Sequence, residues 1–126
     1  ASDVYKRQTW YCFDKLDIGR MKKAAALMMG EHDFKGFSSV KKTNKSTVRT
    51  VSRIDMDVRD RELDLIFEGN GFLYNMVRIL TGTLIEIGQG ERQPEEIRAI
   101  LQAKNREAAG FTAPPQGLVL VSAEYE

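Results

Sequence analysis

Arg78 sits among apolar, helix-forming residues just after the polar loop Gly69-Asn70-Gly71, and it is the first side chain whose chemistry has to be explained. A guanidinium keeps its charge in a protein, so a buried one must meet a carboxylate, a phosphate or several carbonyls. Arg78 is therefore a candidate for binding or orienting an anion. On a helix, residues three and four apart share a face, and the apolar stripe here runs Leu73, Met76, Val77, Leu80, Leu84, Ile87. Arg78 lies off that stripe with Tyr74, Asn75, Thr81 and Gly82. Gly82 would let another backbone or a ligand come close. The plainer alternative is a surface arginine on an amphipathic helix, and periodicity permits both readings.

Two further groups carry chemistry. Lys35, Lys41, Lys42, Lys45, Arg49 and Arg53 fall in a short stretch where Asp33 and Asp55 are the nearest acids. Such a loop could follow a phosphate backbone or could simply be a solvated connection. His32 and Asp33 suggest a general acid and base, but they lack a third partner in sequence, so they are expected to fix a turn by hydrogen bonding. Cys12 and His32 are the only residues of their kinds, which excludes an internal disulfide and a Cys/His metal cluster. No zinc is expected.

The elements that must hold these groups follow an α+β pattern. Asp17 is a suitable N-cap for a helix bearing Ile18, Met21, Ala25 and Met28 on one side, with Gly30 ending it. Ile54, Met56 and Val58 alternate with polar residues, Arg59-Asp60-Arg61 turns, and Leu63, Leu65 and Phe67 alternate again, as in a hairpin with one buried face. The helix around Arg78 comes next. Pro94, Glu95 and Glu96 open a shorter one with Ile97, Ile100 and Leu101 facing inward. Pro114-Pro115-Gln116-Gly117 then precedes Leu118-Val119-Leu120-Val121, an apolar run expected to form an interior strand.

The 126 residues are 42% hydrophobic with a net charge of +1, enough for a real core and too balanced for a polycation that holds nucleic acid by bulk attraction. No apolar run approaches the ~20 residues that cross a bilayer, so the expected address is cytoplasmic. Residues 1–9 fit no later pattern and are set apart as a non-native or disordered leader, leaving residues 10–126 as one domain.

Three separated segments resemble the C-terminal part of the TruA-type tRNA pseudouridine synthases. Gly30-Glu31-His32-Asp33-Phe34 with Phe37 resembles one family block. Gly71-Phe72-Leu73-Tyr74-Asn75-Met76-Val77-Arg78 with Gly82 and Gly88 resembles the family's most distinctive helix. Thr112-Ala113-Pro114-Pro115-Gln116-Gly117-Leu118 resembles its C-terminal signature.

The resemblance implies half of the pseudouridine synthase catalytic fold, a mixed or antiparallel sheet with helices on one face. It also implies isomerisation of uridine in the tRNA anticodon stem-loop, with tRNA as partner, a homodimer, and no metal or organic cofactor. The family's catalytic aspartate belongs to an arginine-threonine-aspartate motif that this sequence lacks, since Val51 follows Arg49-Thr50. The chain is thus expected to be a fragment, inactive alone. Arg78 matches the arginine that pairs with that aspartate, and Leu118 a leucine that packs on the target uracil. Tyr74 and Asn75 are assigned to the substrate pocket. Lys41, Lys42, Lys45 and Arg49 are assigned to RNA phosphates. The rival classes are a catalytically silent RNA-binding module and a non-enzymatic interaction domain.

Overall fold

The computed structural model describes residues 4–11, 16–60 and 62–115. Strands β1 (Val4–Tyr11), β2 (Gly30–Asp33), β3 (Val48–Arg59) and β4 (Glu62–Gly69) form a four-stranded sheet in the order β1-β4-β3-β2, every pairing antiparallel. Helices α1 (Ile18–Met28), α2 (Met76–Gly88) and α3 (Glu96–Ala103) complete an α+β fold. One sheet face carries the core: Leu63, Leu65 and Phe67 are buried while Asp64, Ile66 and Glu68 between them are only partly covered. Met21 and Met28 of α1 and Met76, Leu80 and Leu84 of α2 belong to the same cluster.

The hairpin forms where the alternation places it, with Ile54 opposite Phe67, Met56 opposite Leu65 and Val58 opposite Leu63. Arg59 pairs with Glu62 across a two-residue turn, and Asp60 takes φ 53°, the left-handed conformation such turns demand. Strand β3, however, starts at Val48, six residues before the alternation becomes visible at Ile54. A bulge at Ser52 explains the difference. Val51 pairs with Gly69 and Arg53 with Glu68, so one extra residue flips the parity and lets both Val51 and Ile54 face the helices. The same bulge hides the strand from a period-two reading. As a result Arg49 and Arg53, read as part of a basic loop, belong to β3.

Asp17 caps α1, its Oδ1 accepting the Arg20 N–H at 3.1 Å, and Gly30 follows the C-cap Met29 at φ 92°. Gly30–Asp33 continues as β2, which the sequence pattern does not announce because its side chains lack apolar alternation. Residues 4–9, expected to stand outside the fold, lie within β1. The described side chains of β1 are exposed or half-buried, so backbone pairing with β4 holds it without leaving a hydrophobic signature. The run 118–121 lies outside the described residues.

Helix α2 departs furthest from expectation. Its outward face, predicted to be polar, is covered, and Thr81, Gly82 and Thr83 are as buried as Leu80 and Leu84. Thr81 and Thr83 satisfy their hydroxyls on the Val77 and Ile79 carbonyls, at 2.7 and 2.8 Å. The cover is the extended segment 109–113, which runs back along α2 toward its N-terminus. The Gly110 N–H donates to Thr83 Oγ1 at 2.9 Å, the Phe111 N–H to Glu86 Oε2 at 3.2 Å, and the Ala113 N–H to the Arg78 carbonyl at 3.0 Å. Arg92 braces the strap, donating through Nε to Glu86 Oε1 at 2.6 Å and through Nη1 to the Ala108 carbonyl at 2.8 Å.

Gly82 makes this approach possible, since a Cβ there would lie 1.8 Å from the Phe111 oxygen. At Gly88 a Cβ would meet the Met21 sulfur at 2.6 Å, the flexible end of a side chain. Gly82→Ala is therefore expected to destabilise the fold by about 3 kcal/mol or more and Gly88→Ala by about 1 kcal/mol. Paired urea unfolding curves measure both, and equal costs would contradict the strap contact.

Candidate functional site

The segment Phe72–Asn75 turns the chain from the sheet into α2, and three contacts fix its course. Asn70 bonds Thr50 twice, its N–H donating to the Thr50 carbonyl at 3.0 Å and its Oδ1 accepting the Thr50 N–H at 2.9 Å. The Ser39 N–H donates to the Tyr74 carbonyl at 2.9 Å. Asn75 then enters the helix at φ 61°, a left-handed conformation that asparagine tolerates better than most residues.

This turn, the first turn of α2, Pro115 just past the strap and two residues of β1 line a cleft of about 420 Å³, within the roughly 300–1,000 Å³ usual for small-molecule sites. Tyr74, Asn75 and Arg78, the candidates named from sequence, all line it. Phe72, Pro115, Lys6 and Arg7 line it as well and were not anticipated. Phe72 and Pro115 stand inside the matched motifs and could have been found there. Lys6 and Arg7 could not, because β1 was set aside. Leu118 lies outside the described residues. Tyr74 is 69% exposed, an aromatic ring at the cleft.

Arg78 is half-buried and held at two points. Its Nε donates to the Ala113 carbonyl at 2.5 Å and its Nη1 to Asn75 Oδ1 at 2.8 Å. Among the described residues no carboxylate pairs with it, whereas Arg7, Arg53, Arg59 and Arg92 each have an acidic partner. Of the five guanidinium N–H groups of Arg78, the described residues engage two, one on Nε and one on Nη1. A planar guanidinium also offers one N–H from each terminal nitrogen in parallel, the pair that a carboxylate takes with both oxygens. The α2 N-terminus adds positive potential at the same end of the cleft. The arrangement suits an anion presented from the cleft side.

The basic residues divide. Lys41, Lys42 and Lys45 are exposed on the segment between the 3-10 turn Lys35–Phe37 and β3. Arg49 is partly covered, its Nη1 donating to the Ser46 and Val48 carbonyls at 3.0 and 2.8 Å. It braces the root of the basic loop, beside Gly71. His32 and Asp33 fix turns, as expected. His32 Nε2 donates to the Met29 carbonyl at 2.7 Å, and Asp33 Oδ1 accepts the Thr47 hydroxyl at 2.6 Å and the Lys35 N–H at 3.0 Å. Among the described residues no group of three or more His, Cys, Asp or Glu could hold a metal, and no helix is long and apolar enough to cross a membrane.

This chain belongs to the tRNA pseudouridine synthase family, whose sequence model, described as tRNA pseudouridine synthase, matches residues 24–126. The match spans all three motifs and the cleft residues from Phe72 to Arg78 and Pro115. Among curated relatives, tRNA pseudouridine synthase A of a Geobacillus species is 46% identical over 127 residues, covering 98% of this chain and 50% of the relative. The Listeria innocua protein of the same name is 50% identical over 114 residues, covering 89% and 46%. That of Brevibacillus brevis is 48% identical over 110 residues, covering 87% and 45%. The chain spans about half the length of these relatives.

Asp33 supplies a test of the first motif. Burial alone would raise its carboxyl pKa, but the Thr47 hydroxyl, the Lys35 N–H and the Lys104 ammonium together hold it below the ordinary carboxylate value. The unfolded chain therefore takes up the proton first as pH falls. The stabilisation is complete above the ordinary carboxylate pKa of about 4 and is lost as pH falls through the lower folded value. Asp33→Asn is expected to cost about 1–2 kcal/mol at pH 7. Thermal melts between pH 7 and pH 2.5 should show the gap to the parent closing in acid, and a constant gap would exclude an ionised, hydrogen-bonded Asp33.

Proposed function

We propose that this chain is the C-terminal part of a tRNA pseudouridine synthase that isomerises uridine in the anticodon stem-loop of tRNA. The observation that carries the reading is Arg78, a half-buried guanidinium facing a cleft with its paired terminal N–H groups uncommitted to any described carboxylate. The catalytic aspartate comes from an arginine-threonine-aspartate segment that is not in this sequence. A guanidinium at bonding distance favours the ionised carboxylate, depressing its pKa by roughly 1–3 units, and its planar fork sets the carboxylate's direction. The aspartate is then charged and aimed at the uridine while the N-glycosidic bond is cut and the uracil is rejoined through carbon.

The target base leaves its stack to enter the cleft. Tyr74 and Phe72 offer it aromatic surface, and Leu118 packs against the uracil. Asn75 belongs to the pocket wall. Lys41, Lys42 and Lys45 contact phosphates, and Arg49 supports the loop that carries them. The active assembly is a homodimer in the cytoplasm, with tRNA as its partner and no metal or organic cofactor.

Conversion of uridine in unmodified tRNA tests the reading. The chain alone is compared with a chimaera in which it replaces the segment it matches in the Geobacillus relative. Conversion is expected from the chimaera only. Arg78→Ala should lower kcat on the order of 10²- to 10³-fold, the usual cost of removing a preorganised donor from a closed site. Conversion by the chain alone, or full activity of the Arg78→Ala chimaera, would overturn the reading.

Counterion release gives a second test. Each phosphate contact contributes a slope of about −0.7 to −0.9 in log affinity against log salt, so neutralising Lys41, Lys42 and Lys45 together should flatten the slope by about 2–3. Filter binding of tRNA to the chimaera across a salt series measures it. An unchanged slope would remove these lysines from the RNA interface.

A further inference from the structure

Asn75 occupies the N-cap of α2 yet does not cap it. Its side chain makes no bond to the first-turn N–H groups, although asparagine is among the best residues for that bond and the bond is worth about 1 kcal/mol. The amide is used at both ends instead. Oδ1 accepts from Arg78 Nη1 at 2.8 Å and Nδ2 donates to Ser39 Oγ at 3.0 Å. An arginine only donates, so the amide must turn its oxygen toward Arg78 and its nitrogen toward Ser39. The left-handed backbone at Asn75 carries the side chain away from the helix and toward both partners.

We propose that Ser39 and Asn75 are positioning residues, forming a hydrogen-bonded chain that fixes the plane of the Arg78 guanidinium for its carboxylate partner. The inference rests on the function proposed above and deepens it. The Arg78 plane is pinned on one side by the Ala113 carbonyl and on the other by Asn75. A single pin leaves rotation about the side-chain bonds, whereas two set the direction of the fork. Ser39 supplies the second pin with its own anchor, since its N–H is already held by the Tyr74 carbonyl and its hydroxyl receives the amide. Backbone strain at Asn75 and the missing cap are the local cost of this arrangement, as expected where a site overrides helix rules.

The test uses the active chimaera and unmodified tRNA. Ser39→Ala is expected to lower kcat on the order of tenfold, the scale of a small misorientation at a reacting group, while KM for tRNA stays within about twofold. Ser39→Thr, which keeps the hydroxyl, should restore most of kcat. Asn75→Ala should lower kcat at least as much, and adding Ser39→Ala to it should cost nothing more, because the two act in series. With the guanidinium loosened, the acid limb of the kcat/KM profile should move to higher pH.

A readout independent of turnover is the side-chain Nε–H of Arg78 by NMR, whose hydrogen exchange should quicken severalfold in Ser39→Ala. Unchanged kcat and unchanged exchange in Ser39→Ala, or additive losses in the double variant, would overturn the chain of positioning residues while leaving Arg78 in place. Full activity of Arg78→Ala would instead overturn the underlying function, and this inference with it.

Discussion

A helix buried on every side obliges the chain that covers it to satisfy its own backbone before it can lie down, and this accounting governs the region around α2. The strap 109–113 meets it through Thr83, Glu86 and the Arg78 carbonyl. Gly82 removes the one side chain that would hold the two backbones apart. Glu86 and Arg92 form a pair that is largely withdrawn from water, each making a further bond to the strap or its approach. Such a pair costs much to break but need not add net stability over apolar packing. Its direct effect is to fix where the strap runs, and hence where Ala113 presents its carbonyl.

That carbonyl links scaffold to site. Ala113 both donates to the Arg78 carbonyl and accepts from the Arg78 Nε, so the strap reads the helix backbone and the guanidinium together. The opposite edge of the guanidinium answers to Asn75. The site is therefore assembled from three distant stretches: the segment after the 3-10 turn, the entry to α2 and the strap. Each enters through a backbone group or a short side chain. Arg78 is the long side chain at the centre of the site, and Lys6 and Tyr74 at the cleft rim face solvent.

Much of this was legible in the sequence. The N-cap at Asp17, the C′ glycine at Gly30, the hairpin and the start of α3 follow from local rules that the structure obeys. Arg78 stood out because a charge among apolar residues demands an explanation, and Tyr74 and Asn75 were named with it as neighbours on its face. The misses share a physical origin. The bulge at Ser52 breaks the period that reveals a strand, and β1 and β2 are held by ladders their side chains do not advertise. Thr81 and Gly82, read as part of a polar face, are buried because both are small and the Thr81 hydroxyl, like that of the neighbouring Thr83, bonds within the helix. Ser39 carried no signal at all, since its role depends on a contact 36 residues away.

The strand order has one more consequence. Among the described strands it puts β2, four residues long, at an outer edge of the sheet. An unpaired edge is a template on which other chains can add strands, and self-templating stacks need stretches of about six or seven residues. Four residues carrying Glu31 and Asp33 fall short of that length and bring negative charge to it. Among the described strands, the chain thus leaves only a short, acidic stub at the edge next to its exposed basic loop.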